Sequence, residues 1–281
     1  MIIDCHTHLN HYKDESVQAL PKTLENLQRE MKRNRVDFSL ILTSYIANPG
    51  RPSTRDVVKA IRPFKNLYVV AGISFLNYTK EDLSELREYI KEGVVRGLKF
   101  YCGYEPFYPS DPRMLPAVEL AKEHNIPIMI HSGDTFSPKG RLKYSHPLHI
   151  DDLAVDHPTL TIIVCHLGSP WFKDCMEVIY KNSNVYTDIS GLVLGEFDDR
   201  FQKYMQNQLQ EMLIYGVEPE KVLYGSDWPI ASMSAYLKFI DELRIPERDK
   251  KKILYGNSAK LFKLKPEDSP LKKGSLFSWL K

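Results

Sequence analysis

IIDCHTHL, residues 2–9, opens on β-branched residues and closes on two histidines separated by one position. Alternate side chains of a strand share a face, so His6 and His8 are expected to point the same way from one strand end. Seven runs of similar character follow: FSLILTS (38–44), LYVVAGIS (67–74), VRGLKFY (95–101), IPIMIHSG (126–133), LTIIVCHLG (160–168), VYTDISG (185–191) and VLYGSDWP (222–229). Each is rich in Val, Ile or aromatic residues and bounded by Gly, Pro, Asn or Ser, the pattern of short buried strands.

Helix-patterned segments separate them at 23–34, 79–92, 114–124, 174–181, 198–215 and 235–243. In 79–92, Leu83, Leu86 and Ile90 recur at helical spacing, Thr79 is placed to cap the N-terminus, and Glu81 and Asp82 suit the positive helix start. The connections are too long for hairpins, which predicts parallel strands. Eight such units predict an α/β fold, a (β/α)8 TIM barrel over 1–264 with a short C-terminal tail at 265–281. Leu276, Phe277, Trp279 and Leu280 predict that this tail docks on the barrel or on a neighbouring subunit of a homo-oligomer.

The 281 residues are 43% hydrophobic and 26% charged, the composition of an ordinary globular domain. Lys plus Arg (38) and Asp plus Glu (36) leave a formal charge of +2, so neither nucleic acid nor an anionic membrane is an expected partner. Met1 leads straight into Ile2 and Ile3 without a basic-then-apolar signal, and no run approaches a membrane span of roughly 20 residues; a cytoplasmic location is the expectation. Cys5, Cys102, Cys165 and Cys175 form no CxxC pair and read as reduced, buried thiols.

The chemistry is expected at the strand ends. His131 ends the fifth run, His166 the sixth and Asp227 the eighth, so a parallel barrel would carry them to the same mouth as His6 and His8. Imidazole nitrogens and a carboxylate oxygen suit a divalent ion of the zinc type, with a position left for water. The other histidines, His11, His124, His146, His149 and His157, fall in loops or helix ends and are assigned no ligand role.

DCHTHL, GLKFY, IPIMIHSG, IIVCHLGSP, VYTDISG, LYGSDWP and the late GNSAKLF resemble, in order and spacing, the amidohydrolase superfamily and its amidohydrolase-related (amidohydrolase 2) branch, over about residues 1–264. The resemblance implies a barrel, a catalytic metal, and hydrolytic or decarboxylating chemistry. It implies metal ligation by His6, His8, His131, His166 and Asp227, with one ion, zinc first and manganese second. Parts of the superfamily bridge two metals with a carboxylated fourth-strand lysine. Lys99 stands at that place, though a single metal with an unmodified, substrate-facing or hydrogen-bonding Lys99 is the expectation for this branch.

Asp227 is the expected base toward a metal-activated water, and His166 is expected either to ligate or to polarise the substrate oxygen. Lys99, Tyr101, Arg141, Trp171 and Trp228, with Tyr104, Phe107 and Lys143, supply aromatic surface and positive charge, which suggests a small anionic substrate. Asp188, Ser190 and Asp4 are placed to hydrogen-bond ligand imidazoles from behind. The reading is a hydrolase of an ester, lactone or amide. Non-oxidative decarboxylation of an unsaturated or aromatic acid at the same site, and an inactive metal-binding barrel, are the alternatives.

Overall fold

The computed structural model describes residues 1–12, 17–193 and 199–269. Eight parallel strands follow one another round a sheet in chain order: β1 (Ile3–Thr7), β2 (Phe38–Leu42), β3 (Leu67–Gly72), β4 (Val95–Phe100), β5 (Ile128–Ile130), β6 (Ile162–Val164), β7 (Val185–Asp188) and β8 (Val222–Leu223). The seam between β8 and β1 is bridged by Cys5 N–H to Tyr224 O (3.0 Å), Asp227 N–H to His6 O (2.9 Å) and His8 N–H to Trp228 O (2.7 Å). Gly225 permits that approach, because a Cβ there would stand 2.7 Å from His6 Cβ.

The helices are α1 (Leu20–Asn34), α2 (Thr54–Ile61), α3 (Lys80–Lys91), α4 (Leu115–His124), α5 (Leu142–Ser145), α6 (His149–Asp156), α7 (Phe172–Lys181), α8 (Asp199–Tyr215), α9 (Met233–Asp241), α10 (Glu247–Lys251) and α11 (Asn257–Leu261). All six predicted helices are present with ends displaced by a few residues; α1 begins early because Pro21 fits a first turn that needs no amide donor. Thr79 caps α3 as expected, and Asp82 completes a reciprocal capping box. The sequence pattern missed α2 and α6, whose eight residues each give a short periodic signal.

Alternation along the strands divides the core in two. Ile3, Cys5, Phe38, Leu40, Leu42, Val70, Met129, Ile163, Cys165 and Leu223 fill the barrel, together with Phe262 and Leu264. Their strand neighbours, such as Ile41, Val69, Leu98, Ile130 and Val164, belong to the larger cluster with the helices. All four cysteines are free and buried. Among the described residues no helix is long and apolar enough to cross a membrane. The tail residues Leu276, Phe277, Trp279 and Leu280, and Asp198 at the start of the predicted 198–215 helix, lie outside the described residues.

Candidate metal centre

The regular strands end sooner than the sequence runs, so His131, His166 and Asp227 stand just beyond β5, β6 and β8. Two of them adopt left-handed backbone, His166 at φ 62° and Asp227 at φ 57°. Such conformations cost a non-glycine residue about 1 kcal/mol or more and persist where surrounding contacts enforce them. Here His166 N–H donates to Asp188 Oδ1 (3.0 Å) and Asp227 N–H to His6 O (2.9 Å). On β1 the register with β2 shifts between Asp4 and Thr7, an irregularity that falls at His6.

Three groups converge. His8 Nε2 lies 3.2 Å and His6 Nε2 3.7 Å from Asp227 Oδ1, and His6, His8 and Asp227 offer ligand atoms all within 4.8 Å of one another. Behind them, His8 Nδ1–H donates to Leu42 O and His6 Nδ1–H to Asp188 Oδ2, each at 2.9 Å. Those partners assign the proton to Nδ1 in both rings and leave both Nε2 lone pairs facing the Asp227 carboxylate.

His131 and His166 form an adjacent pair. His131 Nε2–H donates to Asp134 O (2.9 Å), leaving its Nδ1 3.1 Å from His166 Nε2. Ser190 Oγ lies 2.9 Å from both His6 Nδ1 and His166 Nδ1 and makes a short contact with Asp188 Oδ1. With the serine proton on Asp188, His166 donates through Nδ1 and its Nε2 meets the His131 lone pair. The pocket thus gathers imidazole lone pairs and a carboxylate with no proton to place between them, a donor set that fits a divalent cation.

Protonation follows the same logic. Burial pushes the imidazoles toward neutrality: His6 is lowered, His131 lies well below the usual histidine range, and His166 is brought down to about 4. Burial opposes ionisation of Asp188 and Asp227, but the His6 Nδ1–H donated to Asp188, and any positive charge the pocket takes up among His6, His8 and His166 beside Asp227, outweigh it and hold both carboxyls well below the usual range. Asp4, anticipated to support an imidazole side chain, instead accepts Ser226 Oγ–H (2.6 Å), Ser226 N–H (3.0 Å) and His6 N–H (3.2 Å), tying β1 to the β8 loop.

The residues expected to face substrate are dispersed. Lys99 is 1% exposed, with its Nζ 2.7 Å from Cys165 Sγ inside the barrel, so it does not present a charge to the open mouth. Tyr101 is buried and donates its hydroxyl to Thr43 O (2.6 Å). Tyr104 remains at the site, its ring 4.8 Å from that of His131. Phe107 stacks on Phe75 at 3.8 Å in the core instead. Arg141 and Lys143 are exposed, and Trp171 packs on His146 at 4.7 Å. Trp228 is half-buried beside Asp227.

The sequence reading missed Arg51. This half-buried residue of the loop after β2 donates to Ser44 Oγ (3.2 Å), lies 5.8 Å from the Tyr12 ring centroid, and forms no ion pair among the described residues. Tyr12 in turn packs edge-on to His8 at 6.1 Å, and Tyr45 lies against Tyr101 at 5.1 Å. The usable signal in the sequence is a positive charge in a loop that follows a strand.

The sequence matches the family profile described as Amidohydrolase over residues 3–264. A gamma-resorcylate decarboxylase of Rhodococcus jostii (strain RHA1) is 22% identical over 189 residues, a match covering 58% of this chain and 57% of that protein. Three solved structures share the fold. An uncharacterised TIM-barrel protein of Bordetella bronchiseptica aligns with TM-score 0.73 and 20% identity over 94% of this chain and 98% of its own. A candidate 2-pyrone-4,6-dicarboxylic acid hydrolase of Pseudomonas putida aligns at 0.70 and 16% over 94% and 98%. A dihydroxybenzoic acid decarboxylase of Polaromonas sp. JS666, solved with manganese and 2-nitroresorcinol, aligns at 0.68 and 15% over 96% and 99%.

Proposed function

The chain belongs to the amidohydrolase family, and on that premise we propose that it is a metal-dependent hydrolase opening an ester, lactone or amide bond in a small, planar carboxylate. The observation that carries the reading is the convergence of His6 Nε2 and His8 Nε2 on the Asp227 carboxylate. His6, His8 and Asp227 would hold one divalent ion, zinc or manganese, with His131 and His166 completing its surroundings. A bound ion supplies Lewis acidity there, making water nucleophilic near neutral pH and polarising a carbonyl.

The side chains do the rest. Asp227, held ionised, is in the state that accepts a proton from water and later returns it to the leaving oxygen or nitrogen. His166, kept neutral, can accept or donate at Nε2 toward a substrate oxygen. Arg51 would hold a substrate carboxylate at the β2 side of the mouth, and Tyr12, Tyr45 and Tyr104 offer flat surface for a conjugated ring.

A second reading, non-oxidative decarboxylation, is favoured by the Rhodococcus jostii relative. It would use the same groups but require Asp227 to deliver a proton to carbon, and a carboxyl held ionised carries no proton to deliver until one is taken up.

Metal-free protein reloaded with zinc or manganese separates them. It would be offered carboxylated lactones and esters with a pH indicator, and hydroxybenzoates with CO2 detection. Metal-dependent acid release supports the hydrolase, and CO2 release replaces it with the decarboxylase. Silence across both panels, or unchanged metal content in a His6→Ala, His8→Ala protein, would remove the catalytic reading.

A further inference from the structure

Beneath the histidines lies a buried cation for which the catalytic reading has no use. Lys99 projects from β4 into the barrel, and its Nζ donates to Cys165 Sγ at 2.7 Å; an ammonium has no lone pair, so sulfur is the acceptor. The Tyr101 ring lies 5.3 Å from Nζ. Among the described residues no carboxylate comes within ion-pairing distance of this ammonium. A thiol and an aromatic face are modest compensation for an ammonium only 1% exposed, so its balancing charge must come from farther off.

The anions available are those of the candidate metal centre. Cys165 Sγ, an Asp188 oxygen and a His6 ring nitrogen all lie within 4.8 Å of one another, which places Lys99 one side chain away from Asp188. Its field reaches the whole pocket. The His6 nitrogen and the Asp188 oxygen both stand within 4.8 Å of the sulfur that Lys99 Nζ contacts, so a positive charge fixed at Nζ repels any cation held beside them.

We propose that Lys99 is a fixed countercharge beneath the metal centre, a positioning residue that offsets Asp188 and thereby weakens metal binding. Asp188 and Asp227 are the two carboxylates at the pocket, and Lys99 sets one positive charge against them. A less neutralised ion is a stronger Lewis acid, so the arrangement exchanges affinity for reactivity. The proposal rests on the metal-dependent reading of the preceding section.

The test compares zinc affinity, by chelator competition, in wild type, Lys99→Met and Lys99→Arg, with thermal melts to verify folding. Methionine keeps the length of the stem but loses the charge; arginine keeps the charge. Lys99→Met is expected to bind zinc about tenfold more tightly, and Lys99→Arg within about threefold of wild type. The sign is diagnostic, because a residue needed only for packing would weaken binding when replaced. Equal or weaker binding by Lys99→Met, or lost metal equivalents as expected of a bridging lysine, overturns the proposal while the metal centre stands. Failure of all three proteins to take up zinc overturns both readings.

Discussion

Asp188, which ends β7, accepts the Nδ1 proton of His6, on β1, across 2.9 Å, although β8 stands between the two strands in the sheet. The contact spans the mouth and fixes which nitrogen of His6 is free. The same carboxylate accepts the backbone N–H groups of His166 and Ser190, both at 3.0 Å, so one side chain orients parts of three strand ends.

Asp188→Asn should therefore weaken metal binding by about 10- to 100-fold, the usual consequence of losing a partner behind a ligating histidine. Chelator competition measures it. The direction is opposite to that expected for Lys99→Met, so the pair separates loss of a supporting carboxylate from loss of a countercharge.

Arg51→Gln should raise KM for carboxylated substrates by about 10- to 100-fold with little change in kcat, since a charge-assisted hydrogen bond contributes about 1.5–3 kcal/mol. Steady-state kinetics on an acid and its methyl ester provide the check. An equal effect on both would show that Arg51 does not read the carboxylate.

Acidification should destabilise the metal-free protein. His6, His131 and His166 are held neutral when folded, His166 down to about 4, so between that value and their unfolded pKa of about 6.5 the unfolded chain binds more protons and stability is lost as the pH is lowered. Asp4, pushed up to about 7 by burial, acts oppositely over the same range and offsets part of this loss. Three groups against one predict a lower urea midpoint at about pH 5 than at about pH 7. A midpoint that holds or rises would count against neutral histidines.

Thr79→Ala should cost about 1 kcal/mol by removing half of the capping box at α3, lowering the melting temperature by a few degrees without altering metal content. Calorimetry on the metal-loaded protein tests it.

The barrel and the gathering of the histidines with Asp227 are legible in the order of residues alone. Short β-branched runs alternating with crossover helices admit few other topologies, and a parallel barrel brings every strand end to one mouth regardless of separation along the chain. His6 and Asp227 are 221 positions apart (227 − 6) yet share a backbone hydrogen bond of 2.9 Å. The direction of each side chain comes from the folded backbone instead. The register shift on β1 and the left-handed backbone at His166 and Asp227 interrupt the alternation on which a strand pattern relies. His6, His8 and Asp227 form one group, and His131 and His166 an adjacent pair. Lys99 turns toward Cys165 rather than the mouth, and the half-buried Arg51 lies by Tyr12 while Arg141 lies exposed. Such directions depend on contacts between residues remote in sequence, and local periodicity carries no record of them.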